Sequence, residues 1–226
     1  MDKKLASSVS QNIQQLRASL PHGVELVAVS KFQPVESIRQ AYDAGQRLFG
    51  ESRVNELLDK EKQLPDDIIW HFIGHLQTNK VRSIIGKVDL IESVDSMRLL
   101  DLIDKESLRK GVVSKVLMQV HVAAEDTKFG WSPDELLGYF RDRRFEELKA
   151  THLCGIMGMA TNTDDEERIE ADFEAIRRLH DSILAVAPDL RGFDIISMGM
   201  SDDYPLALRH GSTHVRIGTR LFGQRG

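Results

Sequence analysis

The stretch VELVAVSK at residues 24–31 decides the fold. Its apolar residues are consecutive, so Val27 and Val29 would lie on one face of an extended chain, and Leu26 and Ala28 on the other. A strand with two apolar faces is typical of a parallel sheet that is covered on both sides. The stretch therefore predicts a parallel strand between an inner core and a layer of helices, and this strand ends in a lysine.

Seven further apolar runs alternate with amphipathic segments along the rest of the chain. The predicted strands are 47–52, 68–74, 88–94, 115–122, 150–157, 193–199 and 213–219. The predicted helices, in which apolar residues recur at spacings of three and four, are 35–44, 54–63, 97–110, 133–140 and 165–186, with an extra helix at 2–20 before the first strand.

Eight strands joined by helices predict an α/β fold. We expect a single (β/α)8 TIM-like barrel with an extra N-terminal helix, forming one domain over residues 1–226. An open doubly wound sheet would give a similar pattern. The strand count and the absence of a G-x-G-x-x-G motif after the first strand favour the barrel.

The composition argues against several functional classes. No run approaches the roughly 18 apolar residues that a membrane span requires, so we expect no membrane partner. The 30 basic and 35 acidic residues give a formal net charge of -5, which is the wrong sign for a protein that mainly binds nucleic acid. Cys154 is the only cysteine, and the start Met1-Asp2-Lys3-Lys4 leads into no apolar signal core. We therefore expect a cytoplasmic protein; its oligomeric state, a monomer or a weak homodimer, has no clear pattern in the sequence.

Lys31 is the first candidate functional residue. In a (β/α)8 barrel the functional groups lie at the carboxyl ends of the strands, where Lys31 would stand. Partial desolvation and a nearby Arg216 would disfavour the charged form of the lysine, and a neutral amine can form a Schiff base. Three interpretations stay open: an amine that holds a cofactor, an aldolase-type amine that condenses with a phosphorylated sugar, or a lysine that only reaches water.

The loops after the seventh and eighth predicted strands have the chemistry of a phosphate site. Gly199 and Ser201 precede a helix predicted at 204–210, and Gly218 and Thr219 follow the eighth strand. Many barrels hold a phosphate on the backbone amides of these two loops. The alternative is that the serine only caps the helix, with acidic residues in its first turn. Those carboxylates would repel a phosphate unless they point outward.

Arg216 is the third candidate, because a buried guanidinium needs an acceptor. The acceptor could be a carboxylate such as Asp95, or the ring nitrogen of a ligand. An amine, a phosphate cradle and an arginine that donates to a heterocycle together meet the requirements of pyridoxal 5′-phosphate (PLP). His71 and His75 straddle a predicted strand end, so we expect no metal site.

Several motifs together resemble one known family, the pyridoxal phosphate homeostasis proteins, which are single-domain barrels similar to the N-terminal domain of alanine racemase. The motifs are VAVSK at 27–31 with Pro34, FGE at 49–51 with Glu56, WHFIGHLQTNK at 70–80, E-x-x-K-x-G at 125–130, GIM at 155–157, SMGMSDD at 197–203 and GSTHVRIGTRLFG at 211–223. Together they span nearly the whole chain.

The resemblance implies roles for individual residues. Lys31 would hold PLP as a Schiff base, Ser201, Gly218 and Thr219 would bind its phosphate, and Arg216 would face its pyridine nitrogen. Further cofactor contacts are expected from Ser52 (where the family often has Asn), His71, Met157, Gly199 and Met200, and Lys128 is expected at the barrel mouth.

The family also implies a function, namely PLP binding in intracellular vitamin B6 homeostasis, with PLP-accepting apoenzymes as candidate partners. We expect no catalytic turnover. An arginine donor leaves the pyridine nitrogen unprotonated, and the related racemases need a tyrosine from a second domain that this chain is not expected to have. Tyr42, Tyr139 and Tyr204 are not evident bases. The alternative is a PLP-dependent enzyme such as an amino-acid racemase, with His71 or Lys128 as a proton carrier.

Overall fold

A computed structural model describes residues 8–123 and 129–223 of the chain. In this part eight parallel strands pair in chain order, and the last pairs with the first to close a barrel. The strands are β1 Glu25–Val29, β2 Leu48–Glu51, β3 Ile69–Phe72, β4 Leu90–Val94, β5 Ser114–Gln119, β6 Thr151–Met157, β7 Ile195–Ser197 and β8 His214–Ile217. The predicted TIM-like barrel is confirmed.

Helices follow the strands and surround the barrel. The described α-helices are α1 Val9–Ser19, α2 Val35–Asp43, α3 Val54–Glu61, α4 Val81–Ile84, α5 Met97–Lys110, α6 Pro133–Arg141, α7 Glu166–Val186, α8 Tyr204–Arg209 and α9 Thr219–Phe222, with 3-10 turns at Thr78–Lys80 and Arg144–Glu147. The predicted N-terminal helix exists as α1, which begins after a capping box at Ser8; the earlier part of that prediction lies outside the described residues. The short helices α4 and α9 were not predicted.

Two packing layers follow from the alternation of side chains on each strand. Leu26 and Ala28 belong to the large core cluster that the strands share with the helices. A smaller buried cluster contains only strand residues at its centre, namely Leu90, Leu117, Cys154 and Met157, and it lies inside the barrel. Both faces of the strands are therefore covered, as a parallel barrel requires.

Most strands are shorter than the apolar runs that predict them. The run at 193–199 contributes only Ile195–Ser197 to the sheet. Met198 is fully buried although it lies beyond the strand, and Gly199 has a φ of 92°, which takes the chain out of the extended conformation. Hydrophobicity indicates burial rather than strand structure, and burial continues into the loops of the barrel mouth.

Across residues 8–123 and 129–223, none of the helices combines the length and the apolar character needed to cross a membrane.

Candidate functional site

Lys31 follows β1 at the carboxyl end of the barrel. Ser30 is fully buried and Lys31 is partly exposed. The loop after β8 packs against the end of the same strand, because a Cβ atom on Gly218 would lie 3.3 Å from the Val29 carbonyl oxygen. The structure therefore brings Lys31 and Gly218 to one part of the barrel rim.

The loops after β7 and β8 are joined to each other. The Gly218 N–H donates to Ser201 Oγ (3.3 Å), and the Arg216 N–H donates to the Gly199 carbonyl oxygen (2.9 Å). Gly199 cannot carry a side chain without strain, since a Cβ atom would lie 2.9 Å from the Tyr204 Cα atom and its φ is positive. The predicted phosphate residues Gly199, Ser201 and Gly218 thus lie together.

Ser201 does not cap the following helix. Helix α8 has Asp203 at its N-cap position, and no side chain caps it. Asp203 Oδ1 accepts a hydrogen bond from the Met200 N–H (2.5 Å), while the Asp202 side chain is exposed. The interpretation of the serine as an ordinary cap is therefore wrong. Its hydroxyl is turned to the β8 loop instead, where Thr219 is exposed as the first residue of α9 rather than the end of a strand.

Arg216 is buried in the barrel, with 4% of its surface exposed. Its Nη1 donates to the carbonyl oxygen (2.8 Å) and the hydroxyl (2.7 Å) of Ser197, and its Nη2 donates to the Gly158 carbonyl oxygen (2.9 Å). The suggested acceptor Asp95 is wrong, since that carboxylate contacts His75 Nδ1 at 3.0 Å. A guanidinium group has five N–H donors. The three bonds to Ser197 and Gly158 leave donors that can serve a ligand.

The carboxylate near Arg216 is Glu92, which sequence analysis did not identify. Glu92 is fully buried; its Oε2 lies 3.9 Å from Arg216 Nη1 and accepts from Ser197 Oγ (2.6 Å), and its Oε1 lies 2.6 Å from His71 Nδ1. Burial alone would raise the pKa of Glu92, but the hydrogen bond from His71 and the charges of His71 and Arg216 lower it to about 2. The sequence signal for a buried carboxylate was the position of this glutamate within the apolar run at 88–94.

His71 and Met157 lie inside the barrel rather than with the phosphate loops. The His71 ring stacks on His214 at 6.0 Å between centroids, and both line a cavity of about 700 Å³ with residues from the amino-terminal end of the barrel. Met157 belongs to the inner apolar cluster. Glu92 connects His71 to Arg216, both directly and through Ser197. A direct cofactor contact of His71 stays a prediction.

A cleft of about 1030 Å³ begins at Phe32, the residue after Lys31, and Ser52 is part of its lining. Gly74 packs directly on the backbone of Ser52, since a Cβ atom there would lie 2.2 Å from the Ser52 carbonyl oxygen. Phe32 and His75 line the same cleft. Lys128, expected at the mouth, lies outside the described residues.

The residues next to Lys31 contact a buried ion cluster, which sequence analysis did not predict. Lys60 and Glu51 are 2.7 Å apart, and Ser30 Oγ donates to the same oxygen of Glu51 (2.7 Å). Burial raises the pKa of Glu51, while the hydrogen bonds from Lys60 and Ser30 act in the opposite direction. The available signals were Glu51 and Glu56 in the motifs quoted above and a lysine, Lys60, on the buried face of α3. Among the described residues, no group of three or more His, Cys, Asp or Glu side chains could hold a metal ion.

The partly buried imidazole of His214 predicts a pH-dependent loss of stability. Burial is the main cause that lowers its pKa, to about 4, against a usual value near 6.5. Between these values the unfolded chain binds more protons than the folded one, so stability falls as the pH decreases through this window. We expect the free energy of unfolding to fall by about 2 kcal/mol more between pH 7 and pH 5 in the wild type than in His214→Gln. Urea unfolding at both pH values measures this; equal losses would contradict the prediction.

The fold and the rim together define a β/α barrel with an amine and a pair of glycine loops at its mouth. A family model described as "Alanine racemase, N-terminal domain" matches residues 6–226. Pyridoxal phosphate homeostasis proteins from Aquifex aeolicus and Pasteurella multocida are 39% and 35% identical to the chain; the alignments cover 89% and 96% of this chain, and 87% and 98% of those proteins. The chain belongs to the family of pyridoxal phosphate homeostasis proteins.

Solved structures agree with this assignment. PipY from Synechococcus elongatus PCC7942, whose structure contains bound PLP, is 37% identical, with a TM-score of 0.89 over 95% of this chain and 100% of PipY. Alanine racemase from E. faecalis has a TM-score of 0.70 at 17% identity over 96% of this chain and 58% of the racemase, which shows a shared fold only.

Proposed function

We propose that this protein binds PLP at the barrel mouth as a Schiff base on Lys31 and acts in intracellular PLP homeostasis. The observation that carries the proposal is the close approach of Gly218 to Val29, because it sets the loop after β8 beside Ser30 and Lys31. The PLP-bound structure of the PipY relative supports it. Bound PLP supplies an aldehyde that a neutral amine attacks and a ring that withdraws electrons.

The residues at the rim are suited to this cofactor. Ser201 Oγ accepts from the Gly218 N–H (3.3 Å), so the Ser201 hydroxyl can still donate to a phosphate, and the hydroxyl of Thr219 nearby is exposed. Of the two acidic residues after Ser201, Asp203 accepts from the Met200 N–H (2.5 Å) within its own loop, and Asp202 is exposed. Arg216 lies two residues before Gly218 and retains N–H donors for a ring nitrogen.

We propose that the bound cofactor undergoes no catalytic turnover. Tyr42 donates to Asp67 (2.7 Å) on the outer surface, and Tyr139 is buried in the core, where burial raises its pKa further above the usual range. Tyr204 is buried in α8, with the Arg220 guanidinium 5.2 Å from its ring centroid. These environments support a carrier rather than an acid-base enzyme.

Access to Lys31 supports delivery of PLP to other proteins. Lys31 is partly exposed, so the amine of a PLP-accepting apoenzyme could reach the Schiff-base carbon and displace the lysine. In this proposal the carrier works as a monomer or a weak homodimer. A racemase is the second candidate, because the chain shares its fold with alanine racemases. Deuterium exchange at the α-carbon of a panel of amino acids separates the two: exchange would establish the enzyme.

An absorbance titration tests the proposed function. Purified protein with added PLP should develop the visible band of a Schiff base, and borohydride should bleach the band and leave the cofactor on the peptide that contains Lys31. Pyridoxal, which lacks the phosphate, is the matched control and should bind at least about 10-fold more weakly. A protein that stays colourless with excess PLP would contradict the proposal.

A further inference from the structure

A buried lysine contacts the loop that carries Lys31. Lys60 is 5% exposed, and its ammonium group donates to Glu51 Oε1 (2.7 Å), Glu56 Oε1 (2.6 Å) and the Ser30 carbonyl oxygen (2.7 Å). An ammonium group has three N–H donors. All three are used inside the protein, so Lys60 is not a second amine for ligands.

The same side chains hold both residues that flank the Schiff-base lysine. On its amino-terminal side, Ser30 is fixed by Lys60 at its carbonyl oxygen and by Glu51 at its hydroxyl (2.7 Å). On its carboxyl-terminal side, the Phe32 N–H donates to Glu56 Oε1 (2.5 Å). The ion cluster of Glu51, Glu56 and Lys60 therefore holds the turn at residues 30–32 on both sides of Lys31.

The backbone at Phe32 shows why the turn needs support. Its φ is 64°, in the left-handed region that residues other than glycine rarely adopt and that costs free energy. Its side chain is 49% exposed and lies 4.4 Å from the Arg53 guanidinium, so core packing does not fix it. Polar contacts such as that of Glu56 hold this conformation, which sets the direction of the chain just after Lys31.

We propose that Glu51, Glu56 and Lys60 form a clamp that positions Lys31 to bond with the aldehyde of PLP. This inference rests on the proposed function. The three clamp residues are positioning residues, because they contact the backbone around Lys31 rather than the cofactor. An amine that is already oriented loses less entropy when the bond forms. The clamp should therefore increase the affinity only for ligands that carry the aldehyde.

The test compares PLP with pyridoxine 5′-phosphate, which has an alcohol in place of the aldehyde and cannot bond to an amine. Glu56→Ala should weaken PLP binding by about 10-fold and leave the affinity for pyridoxine 5′-phosphate unchanged. Glu56→Gln should behave like the wild type, because its amide oxygen can still accept from Phe32. Asp59→Ala is the matched control, since Asp59 is an exposed acidic residue on the same helix.

Amide exchange of Phe32, followed by NMR, gives a second readout that does not depend on the cofactor. The amide should exchange slowly in the wild type and in Asp59→Ala, although the side chain is exposed, and quickly in Glu56→Ala. If Glu56→Ala weakens both ligands equally or neither, the clamp is wrong while the proposed function stands. If Glu56→Ala does not fold, rapid exchange in the wild type overturns the clamp and slow exchange supports it. A wild type that forms no Schiff base overturns the proposed function itself.

Discussion

Lys31→Ala will retain no borohydride-fixed cofactor and will bind PLP about 100-fold more weakly than the wild type, because the covalent bond to an oriented amine is lost. Ser201 and Gly218 stay in place in this variant, so a weak, phosphate-dependent affinity should remain. Lys60 cannot take over, since its three donors are used by Glu51, Glu56 and Ser30. Spectrophotometric titration and mass spectrometry of borohydride-treated protein measure both effects.

Lys80→Ala is the matched control for this prediction. Lys80 lines the cleft beside the mouth and is partly exposed, so its replacement removes a similar charge without touching the rim. This variant should bind and fix PLP like the wild type. Lys31→Ala should also unfold at a similar denaturant concentration, because replacing a partly exposed lysine changes the free energy of unfolding by at most about 1 kcal/mol. A yellow Lys31→Ala protein with PLP on another lysine would contradict the assignment.

The barrel could be predicted because its strands have a strong local signal. The stretch at 24–31 is apolar on both faces, and the structure buries its residues 26–30 between the inside of the barrel and the helices. Strand ends could not be predicted in the same way. Residues such as Met198 are as buried as strand residues, but hydrogen bonding to neighbouring strands, rather than burial, determines where a strand ends.

The residues at the rim of the site can be predicted from the topology, whereas the buried contacts that hold those residues cannot. Once β1 and β8 are neighbours, Lys31 and Gly218 must lie near each other. The supporting contacts join residues far apart in the chain, such as Ser197 with Glu92, 105 positions away. A single sequence shows that a buried charge needs a partner but does not identify that partner. Asp95 was therefore proposed as the acceptor of Arg216, in place of Ser197, Gly158 and the nearby Glu92.

Arg216→Met is expected to destabilise the protein by about 3 to 5 kcal/mol, the range measured when one partner of a buried ion pair is removed. Methionine preserves most of the volume but leaves the carbonyl oxygens of Ser197 and Gly158 without their donor. Glu92 then remains fully buried with less compensating charge, so its pKa should rise from about 2. Urea unfolding at pH 7 measures the loss.

The double variant Arg216→Met/Glu92→Gln identifies the cause of this loss. If the isolated charge of Glu92 causes it, the neutral glutamine removes that charge, and the double variant will be more stable than the sum of the two single losses predicts, by about 0.5 to 3 kcal/mol. Arg209→Met is the control, because Arg209 is an exposed arginine that pairs with Glu170 on the surface (3.0 Å), and it should cost at most about 1 kcal/mol. Strictly additive losses would show that Arg216 stabilises the barrel through its hydrogen bonds to Ser197 and Gly158, without a contribution from the charge of Glu92. The guanidinium would then be held independently of the buried carboxylate of Glu92.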